Sequence, residues 1–254
     1  MGISGKLTRE NLGFSIPSDG PLYPSLPYHY QDASLLVFEY ETDGELASQL
    51  LPAQAQLTDP PTAGLVFANY PSCTLGPYNE AVVYLKATYS GPGAPADGEP
   101  LLYAAHLYVT TDVAMAAGRE IAGFPKKLAA IDFQDGPTIS SSLKRPAGQP
   151  LASATFAPQG DPIPVPQSKL TYLTLRMFPS PTQGSSPSIC ELLTTDWVMT
   201  NSKIWMTGEG QCSITGSTPQ DPLNQVPILK VTSSKLIRGD LEVSANDRDR
   251  SQPF

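Results

Sequence analysis

The stretch "GREIAGFPKKLAAIDF", residues 118–133, carries the pattern on which the fold and chemistry of this chain depend. It passes from small residues through Phe124 and Pro125 to Lys126 and Lys127, which stand side by side before an apolar run. Adjacent ammonium groups repel each other. Such a pair is therefore either a solvated strand end or an arrangement that makes one amine easier to deprotonate, and spacing alone leaves both interpretations open.

A lysine amine must lose its proton before it can attack a carbonyl carbon. The ordinary pKa of lysine is about 10.4, and lowering it to about 7–8 costs the charged form about 3–4 kcal/mol. Apolar walls and a neighbouring cation can both contribute. Because successive side chains of an extended chain point to opposite faces, we expect Lys126 and Lys127 to diverge and burial to contribute more than the neighbouring charge.

Composition limits the classes of function. The chain has 254 residues, 40% hydrophobic and 16% charged, which is typical of a soluble globular protein with one large core or two smaller ones. Its net charge of −8 argues against a nucleic-acid partner. The lack of a signal-like or membrane-spanning apolar stretch predicts a cytoplasmic protein without a membrane partner. Three widely spaced cysteines and two histidines predict reduced thiols and no metal site.

Two stretches predict helices. The first, residues 42–51, has the spacing of a capping box between Thr42 and Glu45, and the second, residues 110–123, has Asp112 near its start. Short segments rich in β-branched and aromatic residues between Pro/Gly/Ser clusters predict strands elsewhere. The predicted strands are 35–40, 64–70, 80–89, 100–110, 126–133, 169–178, 188–197 and 226–243, and the predicted loops are 91–100, 157–167 and 179–187.

These segments predict an α+β fold that is mostly antiparallel β. Many short strands leave exposed edges unless the sheet closes, so we expect a closed or nearly closed sheet with a few short helices. Residues 1–243 are expected to form a single domain. The polar residues 244–254 are expected to form a frayed tail.

Residues 114–128, AMAAGREIAGFPKKL, closely resemble the signature of the acetoacetate decarboxylase family: a small-residue helix, Gly-Arg-Glu, then aromatic-Pro-Lys-Lys-Leu. The resemblance extends over nearly the whole chain, in order and approximate spacing. The other matching segments are LPYHY (26–30), ETD (41–43), LGPYNE (75–80), SICEL (188–192), WMTGEG (205–210) and DPLNQVPI (221–228).

The resemblance implies a β-cone-like, closed-barrel fold over residues 1–243, usually in homo-oligomers, that acts on a small-molecule keto substrate. Lys126 is implied to be the Schiff-base nucleophile, and Lys127 the neighbour that helps to keep it uncharged. Glu80 corresponds to a pocket glutamate that handles protons, although a carboxylate at a strand start is often solvent-facing. No metal or organic cofactor is implied, because the lysine amine itself is the electron sink.

Four further residues are assigned near this site. Tyr78 and His106 are candidate substrate-binding residues, although aromatic side chains are mostly core and a lone strand histidine is often simply hydrogen-bonded. Arg119 and Glu120 are expected to form a structural ion pair that positions the helix and the following loop.

The chain departs from the family pattern at two places. Where the family's decarboxylases carry an arginine thought to address the substrate carboxylate, this chain has Ala33, and no arginine occurs between Arg9 and Arg119. A second acidic pocket position is apolar here, near Leu65. A guanidinium is the usual partner of a carboxylate, so its loss removes bonds worth about 1.5–3 kcal/mol.

Three hypotheses about function follow. The first is a Schiff-base lyase that decarboxylates a β-keto acid or polyketide-like ketone, a chemistry of secondary metabolism. The second keeps the lysine imine for aldol, dehydration or cyclisation chemistry on a larger keto compound. The third is a non-catalytic member of the fold that binds an apolar ligand.

Overall fold

The structure is a computed structural model that describes residues 2–246 and 249–254. The described residues form fifteen strands, two α-helices and three short 3-10 helices. None of these helices is long and apolar enough to cross a bilayer. The strands are β1 (Tyr28–Glu41), β2 (Ala55–Leu57), β3 (Thr62–Tyr70), β4 (Ser72–Cys73), β5 (Tyr78–Tyr89), β6 (Leu101–Val109), β7 (Lys126–Leu128), β8 (Ala130–Gln134), β9 (Ile139–Lys144), β10 (Pro150–Pro158), β11 (Ile163–Phe178), β12 (Ile189–Trp205), β13 (Gly208–Ile214), β14 (Lys230–Val243) and β15 (Ser251–Pro253); the helices are α1 (Gly44–Ser48), α2 (Asp112–Ala122) and the 3-10 turns Arg9–Asn11, Ala96–Gly98 and Leu223–Gln225.

Seven strands close into a barrel in the order β5-β3-β1-β14-β12-β11-β6, and the pairing of β6 with β5 completes the ring. All neighbours in this ring are antiparallel except β6 and β11, which pair in parallel over two residues. Closure pairs backbone groups that open edges would leave exposed. The predicted α+β fold with a closed, mostly antiparallel sheet is confirmed.

Strands β3, β5 and β6 are buried on both faces, whereas β11 and β14 keep many exposed residues. A second sheet, in the order β13-β10-β9-β8, covers part of the outer face. Alternation along β1 directs Val37 to the apolar cluster inside the barrel and its neighbours Leu36 and Phe38 to the cluster between the barrel and the second sheet. We call these two clusters the inner core and the outer core.

Helix α2 lies at one end of the barrel and leads directly into β7. Its N-cap is Thr111, whose hydroxyl accepts a hydrogen bond from the Ala114 amide at 3.4 Å. The helix ends at Gly123, which has a φ of 67°. A Cβ at Gly123 would also lie 2.7 Å from the Cβ of Arg176, so both the conformation and the close approach favour glycine. The predicted helix over 110–123 is confirmed.

Helix α1 differs from its prediction in length and in its cap. The Asp43 carboxylate, rather than the Thr42 hydroxyl, accepts hydrogen bonds from the amides of Glu45 and Leu46. Thr42 instead donates to the carbonyl of Pro227 at 2.9 Å. Either residue can cap a helix, and a tertiary contact decides between them here.

Residues 157–167, predicted as a loop, contain the start of β11. This part of the strand pairs with β12 on one side, while β6 pairs with β11 only at Tyr172 and Leu173. Pro164 and Pro166 therefore lie where β11 has one neighbouring strand, and proline is tolerated at such an edge. Strands β2, β4, β9, β10 and β13 lie outside the strand segments named from the sequence.

The C-terminal residues are more ordered than predicted. Ser251–Pro253 form β15, which pairs antiparallel with β12, and Arg250 lies 3.0 Å from the Asp196 carboxylate. The expectation of a frayed tail is therefore wrong for 249–254, because a polar segment can still pair through its backbone. Residues 247 and 248 lie outside the described residues.

Candidate active site

Lys126 is the first residue of β7, and its side chain enters the barrel. It pairs in register with Leu107 of the inner core, so the two side chains share the inner face. Only 3% of Lys126 is exposed. Gly118 of α2 makes room for it, because a Cβ there would lie 2.5 Å from both Cδ and Cε of Lys126. The absence of a side chain at Gly118 thus leaves room for the long Lys126 side chain beside α2.

Glu80 is the partner of this amine. The Lys126 Nζ donates to Glu80 Oε2 at 2.9 Å, and Glu80 is also only 3% exposed. The other carboxylate oxygen accepts from the Tyr70 hydroxyl at 3.4 Å. Desolvation of two charges is costly, so such a pair needs close geometry and further hydrogen bonds. Transfer of a proton from ammonium to carboxylate gives an amine and a carboxylic acid with the same net charge, and this pair has the geometry for that transfer.

Aromatic rings surround the amine. The Lys126 Nζ lies 5.6 Å from the centre of the Tyr78 ring and 5.8 Å from that of Phe124. The Tyr78 hydroxyl donates to the Tyr30 hydroxyl at 3.4 Å. Burial raises the pKa of Tyr30, Tyr70 and Tyr78 well above the usual range, so all three are neutral phenols near pH 7. The structure brings Tyr78, Glu80 and Lys126 together, but Tyr78, which was predicted to bind substrate, does not line the cavity beside Lys126.

A cavity of about 220 Å³ opens beside Lys126, between α2, the inner face of the barrel and the C-terminal residues. This volume is below the range of about 300–1,000 Å³ that is typical of drug-sized ligands, so the cavity suits a more compact one. Aromatic and aliphatic side chains form most of the lining, and an arginine, carboxylates and hydroxyls contribute the polar part. The lining residues include Tyr30, Ile121, Phe124, Trp197, Arg176, Glu191, Thr195, Asn246 and Ser251.

Lys127 points away from this cavity. It pairs in register with Tyr108 of the outer core, and its Nζ lies 3.0 Å from Asp221 Oδ1. Asp221 also binds Arg145 Nε at 3.1 Å. Burial alone would raise the pKa of Asp221, but hydrogen bonds and the charges of Lys127 and Arg145 outweigh it and lower the pKa. The charge of Lys127 is therefore offset by its own carboxylate.

His106 lies on the same outer face. Its cross-strand partner is Val83 of the outer core, and a bulge in the β5–β6 pairing follows directly at Tyr84. His106 does not line the cavity beside Lys126. The bulge changes which face each residue of β6 presents, and this change has no clear signal in the sequence. The structure thus separates His106 from Tyr78, Glu80 and Lys126 and places it on the same face as Lys127.

The buried His106 makes stability pH-dependent. Its Nε2 has no hydrogen-bond partner among the described residues, and burial first, then the charge of Lys127, lowers its pKa from 6.5 to about 4 despite Asp221. The unfolded chain then binds more protons between pH 6.5 and 4, so this stability is present above pH 6.5 and is lost as pH falls towards 4. We expect His106→Leu to remove about 3 kcal/mol of the decrease in unfolding free energy between pH 7 and 4.

Urea unfolding at both pH values measures this effect. His29→Leu is the control, because that imidazole is exposed. An equal pH dependence in wild type and His106→Leu would contradict the assignment.

Arg119 and Glu120 lie beside the site, but each has a different partner from the one expected. Arg119 Nη1 donates to the carbonyl oxygen of Lys126 at 3.3 Å. The Glu120 carboxylate accepts from the Tyr23 hydroxyl. Consecutive residues of a helix do not face each other, which explains why the predicted mutual ion pair does not form.

Gly118→Ala should displace the amine without unfolding the helix. The added methyl group would lie 3.1 Å from the Lys126 Nζ and closer to two of its carbons. A misplacement of about 1 Å can cost about 100-fold in rate, whereas alanine favours the helix by about 0.5–1 kcal/mol over glycine. We expect about a 100-fold lower kcat with little change in thermal stability. A fully active Gly118→Ala protein would show that this close packing does not position Lys126.

The structure also shows the surroundings of the two positions at which the family carries an arginine and an acidic residue and this chain does not. Ala33 is fully buried in the inner core. Leu65 belongs to the outer core, and its neighbour Val66 is the residue that faces the interior beside Glu80. Both places are thus apolar. Tyr70 and Arg176 were not singled out from the sequence, because their proximity to Lys126 depends on strand order.

Comparison with known proteins shows which proteins this chain resembles. The chain is 27% identical over 248 residues to Decarboxylase DEC1 of Cochliobolus heterostrophus, which covers 94% of this chain and 95% of the relative. Its fold is similar to that of the crystal structure of acetoacetate decarboxylase from Legionella pneumophila (TM-score 0.78, 22% identity, 99% and 98% of the two chains). It is also similar to that of the enduracididine biosynthesis enzyme MppR, complexed with the condensation product of pyruvate and imidazole 4-carboxaldehyde (TM-score 0.75, 18% identity, 99% of each chain).

The family model for acetoacetate decarboxylase matches residues 15–251. The chain therefore belongs to the acetoacetate decarboxylase family, as its sequence predicted. Membership and a relative named as a decarboxylase support an acetoacetate decarboxylase-like enzyme of the lyase type.

Proposed function

We propose that the protein is a Schiff-base-forming lyase that decarboxylates a β-keto acid or polyketide-like keto compound through Lys126. One observation carries the proposal. The Lys126 amine is almost fully enclosed, lies 2.9 Å from Glu80 Oε2 and lines a cavity of ligand size. A solvated lysine would need none of these features, whereas a nucleophilic amine needs a nearby group to take its proton.

The reaction begins with proton transfer from the Lys126 ammonium to Glu80. The neutral amine adds to the ketone carbon, and the carbonyl oxygen takes up a proton to give a carbinolamine. Loss of water, with Glu80 as the acid, gives a protonated imine. Binding of the ketone beside apolar rings excludes bulk water and favours this condensation.

The protonated imine then accepts electrons. When the bond between the α-carbon and the carboxylate breaks, its electron pair forms the enamine double bond and the charge on nitrogen is neutralised, while CO2 leaves. Protonation of the enamine carbon restores the imine, and addition of water releases the ketone and the lysine amine. The protein's own amine is the electron sink, so the proposed reaction requires no cofactor.

Lys127 has a lesser role in this proposal than the sequence implied. Its ammonium group is paired with Asp221 on the outer face, so most of its field at Lys126 is offset. We infer that Glu80, rather than Lys127, is the partner of the Lys126 amine in the proposed reaction. The predicted homo-oligomer and cytoplasmic location stay predictions.

A second candidate reaction is aldol condensation or dehydration on a larger keto compound. Similarity to MppR, whose structure holds a condensation product of pyruvate, supports it at the level of the fold. The apolar Ala33, where decarboxylases of the family carry arginine, also favours it. CO2 release from β-keto acids distinguishes the two reactions, because only decarboxylation produces gas.

Borohydride trapping tests the proposed imine. The protein is incubated with β-keto acids and simple ketones, reduced, digested and analysed by peptide mass spectrometry. The adduct is expected on Lys126 and not on Lys127. An adduct confined to other lysines, or none with any ketone, would overturn the proposal.

A further inference from the structure

Arg176, at the mouth of the cavity, is the only guanidinium among the described residues that line it. It lies near the end of β11, and its side chain is 28% exposed. The backbone of Arg176 passes Gly123 at the C-terminus of α2, and Gly118 beside the Lys126 amine belongs to the same helix. The five-residue interval corresponds to about 7.5 Å along the helix axis. Arg176 and Lys126 thus line one cavity, and each packs against a different glycine of α2 or its C-terminus.

Only part of this guanidinium has hydrogen-bond acceptors among the described residues. Its Nη1 donates to Glu191 Oε1 at 3.0 Å. Its Nε is buried and has no acceptor among the described residues. Nε and Nη2 form the edge of a guanidinium that binds a carboxylate through two parallel hydrogen bonds. Glu191 therefore holds one end of Arg176 and leaves this edge unsatisfied.

A buried donor without an acceptor is costly, and such groups in native proteins need an explanation. A carboxylate from a ligand would supply acceptors for both Nε and Nη2. Glu191 contributes a second effect, because its bond to Nη1 fixes the plane of the guanidinium before a ligand arrives. Pre-organisation of this kind reduces the entropy lost on binding.

We propose that Arg176 is the carboxylate-binding residue of this cavity and that its ligand is a keto acid whose ketone reaches Lys126. This inference rests on the proposed function, which places the ketone of the ligand at Lys126. It adds a binding site for the carboxylate of the same ligand. It compensates, from β11, for the arginine that is absent at Ala33. Neutral ketones of the same length are expected to bind more weakly.

The test uses matched pairs of ligands: keto acids with the carboxylate one, two or three carbons from the ketone, and their methyl esters. Half-saturating concentrations are measured by borohydride trapping and, independently, by fluorescence titration, since Trp197 lines the cavity. Wild type is expected to prefer at least one acid over its ester. Arg176→Gln should raise the half-saturating concentration of the acid by roughly 10- to 100-fold and leave that of the ester nearly unchanged. Arg176→Lys, which keeps the charge and loses the fork, should restore part of the preference.

Arg238→Gln is the matched control. Arg238 also has a buried Nε without an acceptor among the described residues and one carboxylate partner, Asp135, but it does not line this cavity. It should retain the acid preference. If the acid-to-ester ratio is the same in wild type and Arg176→Gln, the proposal is overturned. An Arg176-dependent acid preference in fluorescence without any trapped adduct would uphold this site and overturn the imine function instead.

Discussion

Lys126→Met is expected to reduce turnover of a keto substrate by at least about 10⁴-fold, the scale at which loss of a catalytic nucleophile is felt. Methionine fills a similar volume with apolar atoms, so the packing against Gly118 and the aromatic rings is retained. The variant leaves Glu80 buried without a cation, which costs at most about 3–5 kcal/mol and less if the carboxylate takes up a proton. Steady-state kinetics and thermal unfolding separate lost chemistry from lost stability.

Lys127→Met is the control for this variant. It removes an adjacent lysine whose charge is paired with Asp221, and Arg145 still contacts that carboxylate after the change. We expect turnover within about tenfold of wild type, because the Lys127 side chain lies on the outer face and Asp221 offsets its charge. Equal losses in the two variants would contradict the assignment of the nucleophile and restore a direct role for Lys127.

Glu80→Gln is expected to lower kcat by about 10²- to 10⁴-fold, the range typical of a lost general acid–base group. Glutamine has nearly the same shape, and its amide oxygen can still accept a hydrogen bond from the Lys126 Nζ. It cannot take up the amine proton or return it to the departing hydroxyl group. Half-saturating substrate concentrations should change little, because Glu80 is expected to act on protons rather than on binding.

Tyr70→Phe is the matched control for the carboxylate. It removes the hydroxyl that donates to Glu80 Oε1 at 3.4 Å while retaining the ring. We expect a loss of less than about tenfold, since a hydrogen bond of this length is weak. Wild-type kcat in Glu80→Gln would show that another group handles the protons.

The sequence predicted the fold well because its signals are local. Short segments rich in β-branched and aromatic residues between Pro/Gly/Ser clusters predict most of the barrel strands, and Asp112 with the small residues that follow it predicts α2. The position of Lys126 on an inward-facing strand also follows from alternation once its register with β6 is known. The catalytic assignment itself came from resemblance to the family and not from spacing.

The remaining features depend on contacts between distant segments. The bulge at Tyr84 directs His106 to the outer face, and the ion pair of Lys127 with Asp221 joins residues 94 positions apart. Arg176 reaches the cavity only because β11 closes the ring against β6. No local sequence pattern predicts these contacts, because strand order and register determine them.

Oxygen exchange between the substrate ketone and ¹⁸O-labelled water tests the central claim most directly, because every reversible imine formation replaces the carbonyl oxygen, whether or not a carbon bond breaks. Wild type should accelerate the exchange of a ketone that fits the cavity, and Lys126→Met should leave it at the uncatalysed rate. Exchange that is no faster with wild type than without protein, or equally fast with Lys126→Met, would contradict the account.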